Sequence, residues 1–245
     1  MDGLLIVNKP PGMTSHDIVL FVRRKFAIKK VGHTGILDPM ATGVLILVLG
    51  RATKITSVLI DQDKEYQAVM HLGITTHTQD KEGQIIEEKN IDSISLSDIK
   101  KAIMSFEGEI DQIPPMVSAR RHQGKRLYEL ARKGIIVERT PKKINIHEIE
   151  IDWIKPPLVS FRVSCTKGTY VRTLCHDIGM LLGVGAHLHL LERTKSGPFS
   201  VKNAVSWENL QKMSIDDLRQ NILPLSPVLY KKLGTPFFTI NGIQP

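Results

Sequence analysis

Residues 32–43 read Gly32-His33-Thr34-Gly35-Ile36-Leu37-Asp38-Pro39-Met40-Ala41-Thr42-Gly43, and they set one carboxylate, Asp38, among residues that control the backbone. Pro39 disfavours the α region for Asp38 and holds it extended. Gly35 and Gly43 permit angles and close approaches that other residues resist. That is the display a fixed catalytic acid needs. An isolated Asp-Pro reads as an ordinary turn, and it is the specified positions around it that move the reading towards chemistry. Other chemistries find less support. His187 and His189 fall two apart, with no nearby Cys or carboxylate pattern to complete a zinc site, so no metal is expected. Gly179, Gly183 and Gly185 do not form a dinucleotide fingerprint, and Gly124-Lys125-Arg126 lacks the spacing of a phosphate loop, so no nucleotide cofactor is expected.

The charge pattern points to a polyanion. The chain carries a formal charge of +8. Arg120, Arg121, Lys125, Arg126, Arg132, Lys133, Arg139, Lys142 and Lys143 face only Glu129 and Glu138 within one short stretch, which holds nearly the whole excess. Cations on a helix are commonly just a solvated face. Their concentration here favours nucleic acid, whose binding is driven by phosphate neutralisation and counterion release. At 245 residues and 42% hydrophobic content the chain can bury a substantial core. Two cysteines, Cys165 and Cys175, form no metal or disulfide pattern, and suit packing in a reducing compartment. No secretory leader and no apolar run of about 18 residues is visible, so a cytoplasmic location without membrane contact is expected.

The elements that must carry Asp38 alternate without a simple rule. Leu4–Val7 reads as a buried strand, and Thr14-Ser15 can cap a helix with Ile18, Val19, Val22 and Phe26 on one face, closed by Arg23-Arg24-Lys25. A strand over Val44–Leu49 follows the Asp38 loop, then a short helix over Ala52–Ile60. Strands are predicted over Tyr66–Leu72 and Gln84–Glu87, and Ser97 can cap a helix bearing Ile99, Ile103 and Phe106. Residues 108–125 read as a loop leading into a short helix, Leu127–Lys133, stopped by Gly134, which together make a basic arm at about 108–143. Strands over Ile144–Ile154 and Val159–Cys165 precede a helix that Thr169 can cap, running to about Leu182. Ala186–Leu191 and Phe199–Val201 read as further strands, and Ser206 and Ser214 start short helices, the second with Asp217 in a capping-box position. The pattern is mixed α/β, a mixed sheet with flanking helices.

The Asp38 segment resembles the motif of the bacterial tRNA pseudouridine synthases of the TruB family, with Ile36 in place of the usual Thr. The resemblance extends through Gly3-Leu4-Leu5-Ile6-Val7-Asn8-Lys9-Pro10-Pro11-Gly12, Asp63-Lys64-Glu65-Tyr66, Gln112-Ile113-Pro114-Pro115-Met116, Gly124-Lys125-Arg126-Leu127-Tyr128-Glu129, Lys167-Gly168-Thr169-Tyr170-Val171-Arg172 and Gly185-Ala186-His187, in family order across about residues 1–230. It implies the pseudouridine synthase fold, an extended mixed sheet with flanking helices and a central RNA-binding cleft. It also implies a catalytic domain over 1–230 that includes the basic arm, and a short tail over 231–245.

The resemblance further implies isomerisation of uridine to pseudouridine in the tRNA T-loop, at position 55 in tRNA numbering, without cofactor, metal or obligate protein partner. Asp38 becomes the catalytic carboxylate, Arg172 the guanidinium that keeps it ionised, and Tyr66 the ring that stacks on uracil. Tyr170 and Leu191 become pocket walls, and His33 fills the space left by the everted base. Lys9 and Pro10 brace the floor. Arg120, Arg121, Lys125, Arg126, Arg132 and Lys133 become RNA contacts. Val117 stands where Tyr commonly follows Ile-Pro-Pro-Met, and Arg120-Arg121 replaces Leu-Lys. The sequence ends at Pro245, which leaves no room for the C-terminal PUA domain common in the family, so the arm is expected to carry more of the binding. The alternatives are a guide-RNA-dependent synthase and a non-catalytic tRNA-folding chaperone.

Overall fold

Leu4, Leu5 and Val7 have no exposed surface, as a strand covered on both faces requires, and the strand Gly3–Lys9 pairs antiparallel with Thr42–Leu49, placing Lys9 opposite Gly43. The computed structural model describes residues 1–234. The chain divides into two compact units, one from residues 1–66 with those from Glu192 onward, the other Gln67–Leu191.

In the first unit Val31–His33 pairs antiparallel with the far end of Thr42–Leu49, and Glu192 and Arg193 pair parallel with Thr42 and Gly43 at its near end. Leu4, Ile6, Val44, Ile46, Val48, Ile55, Leu59 and Phe199 pack into one core. The helix Ser15–Lys25 forms where predicted, with Thr14 and Asp17 closing a capping box and Ile18, Val19 and Val22 buried. The expected helix over Ala52–Ile60 is a 3₁₀ turn, Gly50–Ile55, running into Thr56–Ile60. Ser206 and Ser214 both cap helices, Trp207–Lys212 and Ile215–Asn221. The tail expected over 231–245 lies, beyond Gly234, outside the described residues.

In the second unit Leu158–Cys165 pairs with Lys142–Lys155, which pairs in turn with Gly108–Gln112. That last strand was not anticipated from sequence. Only Ile110 is apolar within Gly108–Gln112, and Lys143 crosses to Glu109 at 2.6 Å in an exposed ion pair. The small hairpin strand Ile74–Thr76, paired with Ile85–Glu88, was missed as well. Two predicted caps move. Ser95, not Ser97, caps Leu96–Met104, because its partner Asp98 stands three residues on, whereas Ser97 has Lys100 there. Tyr170, not Thr169, occupies the N-cap of Val171–Leu181, since the Thr169 hydroxyl donates to the Thr166 carbonyl at 2.9 Å. Gly183 lies beyond that helix at φ 78°, the left-handed stop that glycine serves. Cys165 and Cys175 are buried and form no disulfide with each other, and burial pushes the Cys175 thiol up. The whole is a mixed α+β fold, a large mixed sheet flanked by helices.

Candidate active site

Asp38 is half-buried and sits at the head of a turn, its carbonyl accepting the Ala41 amide at 3.0 Å with Pro39 at the corner. The turn is fastened on both sides. Before it, the Leu37 amide donates to Ser15 Oγ at 2.9 Å, and the same hydroxyl lies 3.3 Å from the Leu37 carbonyl. After it, the Pro39 carbonyl accepts the Gly12 amide at 2.9 Å and the Lys9 ammonium at 3.1 Å. Lys9 is wholly buried and also donates to the carbonyls of Met13 at 2.6 Å and Pro10 at 2.8 Å. Lys9 thus ties the Asp38 turn to the segment that follows the first strand, with the Pro10 carbonyl as one of its acceptors.

A second buried cation, Arg193, holds the upstream half of the loop. Its guanidinium donates to the Val44 carbonyl at 2.8 Å and reaches those of Gly35 at 3.3 Å and Ile36 at 3.5 Å. Gly43 has φ 103°, and a Cβ there would lie 2.2 Å from the Arg193 carbonyl. Glycine is therefore obligatory at this position. At Gly35 the reading from sequence was too strong, because a Cβ would meet the Arg193 guanidinium at an ordinary 3.4 Å. His33 ends the Val31–His33 strand. Burial, and after it the charge of Arg193, hold its imidazole below the usual range, so it is a neutral ring near pH 7. Its Nδ1 has no hydrogen-bond partner among the described residues. Ile36, where Thr is usual, is 56% exposed. Tyr66 is buried on the strand Lys64–Leu72, next to Glu65, whose carboxylate is fixed by Thr194 and Lys195, both at 2.8 Å.

The second unit carries Arg172 in the first turn of Val171–Leu181, buried. It donates to the Val117 carbonyl at 2.5 Å and lies 3.4 Å from Asp80 Oδ2. Asp80 is buried too, and its other oxygen accepts the Thr78 hydroxyl at 2.6 Å and the Glu82 amide at 3.1 Å. Gln79 stands beside it at φ 66° and accepts the Thr173 hydroxyl at 2.7 Å. The half-buried Tyr170 is held by Gln112, which accepts its amide at 2.8 Å and donates to its carbonyl at 3.1 Å. Leu191 is buried on Ala186–Ser196. Because a backbone carbonyl at position 117 meets Arg172, Val there in place of Tyr leaves that contact intact.

Sequence reasoning missed Asp80, Ser15 and Arg193 as positioning residues, and gave Gln112 no role. A Thr-Gln-Asp run after a hairpin strand was the available signal for Asp80, but nothing local to it announces a guanidinium 92 residues away.

In the basic arm Arg121–His122 and Lys125–Arg126 form a hairpin around Gln123 and Gly124, both at positive φ, a two-residue primed turn. Arg120, Arg121, Lys125, Arg132 and Lys133 are exposed. Arg126 is half-buried and donates to the Ala119 carbonyl at 3.1 Å, so it braces the hairpin. Among the described residues no group of three or more His, Cys, Asp or Glu could hold a metal ion. No described helix is long and apolar enough to cross a membrane.

A family model described as TruB family pseudouridylate synthase (N terminal domain) matches residues 23–171. The chain belongs to the TruB family. A model for the tRNA pseudouridylate synthase B C-terminal domain takes up residues 172–229. Among curated TruB relatives, the tRNA pseudouridine synthase B of Syntrophotalea carbinolica is 47% identical over 94% of this chain and 75% of its own. That of Clostridium tetani is 48% identical over 94% and 79%. Among solved structures, a chain from a Cbf5-Nop10-Gar1 complex matches with TM-score 0.70 at 32% identity, covering 91% of this chain and 60% of that one. A chain from an H/ACA RNP bound to a substrate RNA containing 2′-deoxyuridine matches with TM-score 0.66 at 29% identity, covering 96% and 59%. This TruB chain thus spans about three-fifths of those solved chains, and its fold is that of the pseudouridine synthases.

Proposed function

We propose that this chain isomerises uridine to pseudouridine in tRNA, in the T-loop at position 55, with Asp38 as the catalytic carboxylate. The observation that carries the reading is the bracing of the Asp38 turn by Ser15, Lys9 and Gly12, the turn itself lying inside the stretch 23–171 that the family model matches.

The reaction breaks the bond from ribose C1′ to uracil N1, turns the base, and joins C1′ to C5. Substrate and product are isomers, so the electron count closes without a redox partner. It needs an ionised carboxylate at the sugar, a pocket that retains the detached base, and a group to take the C5 proton. Asp38 serves the first need, as nucleophile at C1′ or as base at the sugar. Arg172 is the guanidinium to which the family resemblance assigns the task of keeping that carboxylate ionised. Tyr66 supplies a ring for the base, Tyr170 and Leu191 line the pocket, and His33, neutral and partly apolar, replaces the everted base in the stack. Lys9 and Pro10 fix the floor. In the arm over 108–143, Arg120, Arg121, Lys125, Arg132 and Lys133 contact phosphate, and Arg126 shapes the hairpin that presents them. A tRNA substrate places the reaction in the cytoplasm.

The test is chemical mapping of pseudouridine in an unmodified tRNA transcript incubated with the purified chain alone. A stop at the T-loop uridine, lost in Asp38→Asn while tRNA binding stays within a few-fold, is the expected result. A product that appears only when guide RNA is added would favour the guide-RNA-dependent alternative. Binding without product under either condition leaves a folding chaperone.

A further inference from the structure

The helix Ser15–Lys25 ends in Arg23, Arg24 and Lys25, and Lys29 and Lys30 follow after only three residues. No Asp or Glu occurs between Asp17 and Asp38, and all five cations are exposed. Cations in a last helical turn answer the helix dipole, which accounts for part of the run. It does not account for Lys29 and Lys30, which lie beyond the helix.

The chain doubles back there. Phe26 caps the helix, Ala27 takes φ 52°, and the Ile28 amide donates to the Arg23 carbonyl at 3.2 Å, the six-to-one bond of a Schellman turn. Glycine is the ordinary occupant of the left-handed position, so Ala27 holds a strained backbone angle. The reversal folds Lys29 against Arg23 and Arg24 around a cavity of about 370 Å³ lined by Leu20, Arg23, Arg24, Ala27, Ile28 and Lys29. Lys25 is occupied, donating to the Gln211 carbonyl at 2.8 Å. Arg23, Arg24, Lys29 and Lys30 make no ion pair among the described residues. The groove is concave and positive, and no acidic side chain is among the described residues that line it.

We propose that this groove binds the phosphodiester backbone of the substrate RNA, outside the nucleotide being isomerised, an inference that rests on the RNA-directed function above. The chain leaves the groove directly into Val31–His33 and then the Asp38 loop. The other end of the helix is Ser15, which holds Leu37, and ten residues of helix span about 15 Å. That distance is well within one turn of a nucleic-acid duplex, about 34 Å in B-form DNA and somewhat less in A-form RNA. One continuous backbone can therefore reach both the groove and Asp38. The groove adds a second electrostatic contact, distinct from the arm.

The experiment measures the salt dependence of binding, with unmodified full-length tRNA transcript and an isolated T-arm stem-loop as probes, between about 50 and 200 mM salt. The combined variant Arg23→Gln, Arg24→Gln, Lys29→Gln is compared with the charge-retaining Arg23→Lys, Arg24→Lys, Lys29→Arg. Neutralisation is expected to lower the log–log slope by about two and affinity by roughly tenfold or more, while the charge-retaining variant keeps both. Loss on both probes assigns the phosphates to the T-arm, and loss on full-length tRNA alone assigns them elsewhere in the molecule. A wild-type slope in the neutral variant, or an equal loss in the charge-retaining one, overturns the proposal. Because binding alone is read, failure of the wild-type chain to form pseudouridine would count against the proposed function and not against the groove.

Discussion

The buried ammonium of Lys9 donates to the carbonyl of Pro39, the residue that follows Asp38, at 3.1 Å. The bond links the end of the first strand to the turn that displays the carboxylate, so the geometry of Asp38 is set from within the fold. Replacing Lys9 with Met keeps length and apolar volume but leaves the carbonyls of Pro10, Met13 and Pro39 without this donor. We expect Lys9→Met to destabilise the protein by about 2–4 kcal/mol in urea unfolding. It should lower single-turnover rate more than tRNA affinity, because it loosens the carboxylate without removing a phosphate contact. An unchanged rate in folded protein would release Lys9 from this role.

Gly43 tests the same loop from the opposite side. A Cβ would stand 2.2 Å from the Arg193 carbonyl and 2.7 Å from its amide nitrogen, at a φ of 103°. Neither the parallel pairing to Arg193 nor the backbone angle can absorb it. Gly43→Ala should cost about 3 kcal/mol, within the range of combined backbone strain and overpacking. Gly35→Ala, with its Cβ at an ordinary 3.4 Å from the nearest atom, should cost under about 1 kcal/mol. Thermal unfolding of the two variants side by side measures the difference, and equal losses would remove the case for a special position at Gly43.

The contrast between these glycines shows what the sequence could and could not disclose. Buried strands such as Thr42–Leu49 and capped helices such as Ser15–Lys25 were legible because apolar runs and Thr-x-x-Asp spacing are local signals. The strand Gly108–Gln112 was not, since its edge position and its Glu109–Lys143 pair replace apolar alternation with polar contacts. In the site, Asp38 was visible from its own neighbours. Arg193 was hidden, because a guanidinium that holds the Gly35 and Val44 carbonyls from about 150 residues away leaves no pattern near either. The N-cap of Val171–Leu181 was misplaced for a related reason. Gln112, remote in sequence, binds the Tyr170 backbone where a local hydroxyl was expected.

Asp80 and Arg172 form a buried ion pair, both about 5% exposed, with the second carboxylate oxygen held by Thr78. Removing one partner of such a pair costs more than removing both. Asp80→Ala and Arg172→Ala should each destabilise by about 3 kcal/mol, and the double variant by clearly less than the sum, a coupling of at least about 1 kcal/mol. Chemical denaturation of the four proteins closes the cycle. Additive losses would mean that the two side chains act independently, and that Asp80 does not position the guanidinium.

Asp177 gives a pH prediction whose direction can be worked out. Burial raises its carboxyl from 3.8 to about 6 on the helix Val171–Leu181. With the folded value above the unfolded one, the folded state binds the extra proton between those values. The contribution to stability is present below about pH 4 and is lost as pH rises through about 6. At neutral pH the ionised, partly buried carboxylate therefore opposes folding by about 2 kcal/mol, allowing for its residual contact with water. Asp177→Asn should raise stability by up to that amount at pH 7.5, with the gain shrinking towards zero by pH 4. Burial holds His33, His176, His187 and His189 below 6.5, which gives the opposite trend, a loss of stability as pH falls below that value. Those rings are present in both proteins, so their effect cancels in the difference between wild type and Asp177→Asn. A gain that is constant from pH 4 to 7.5 would show that the substitution acts through packing and not through the charge.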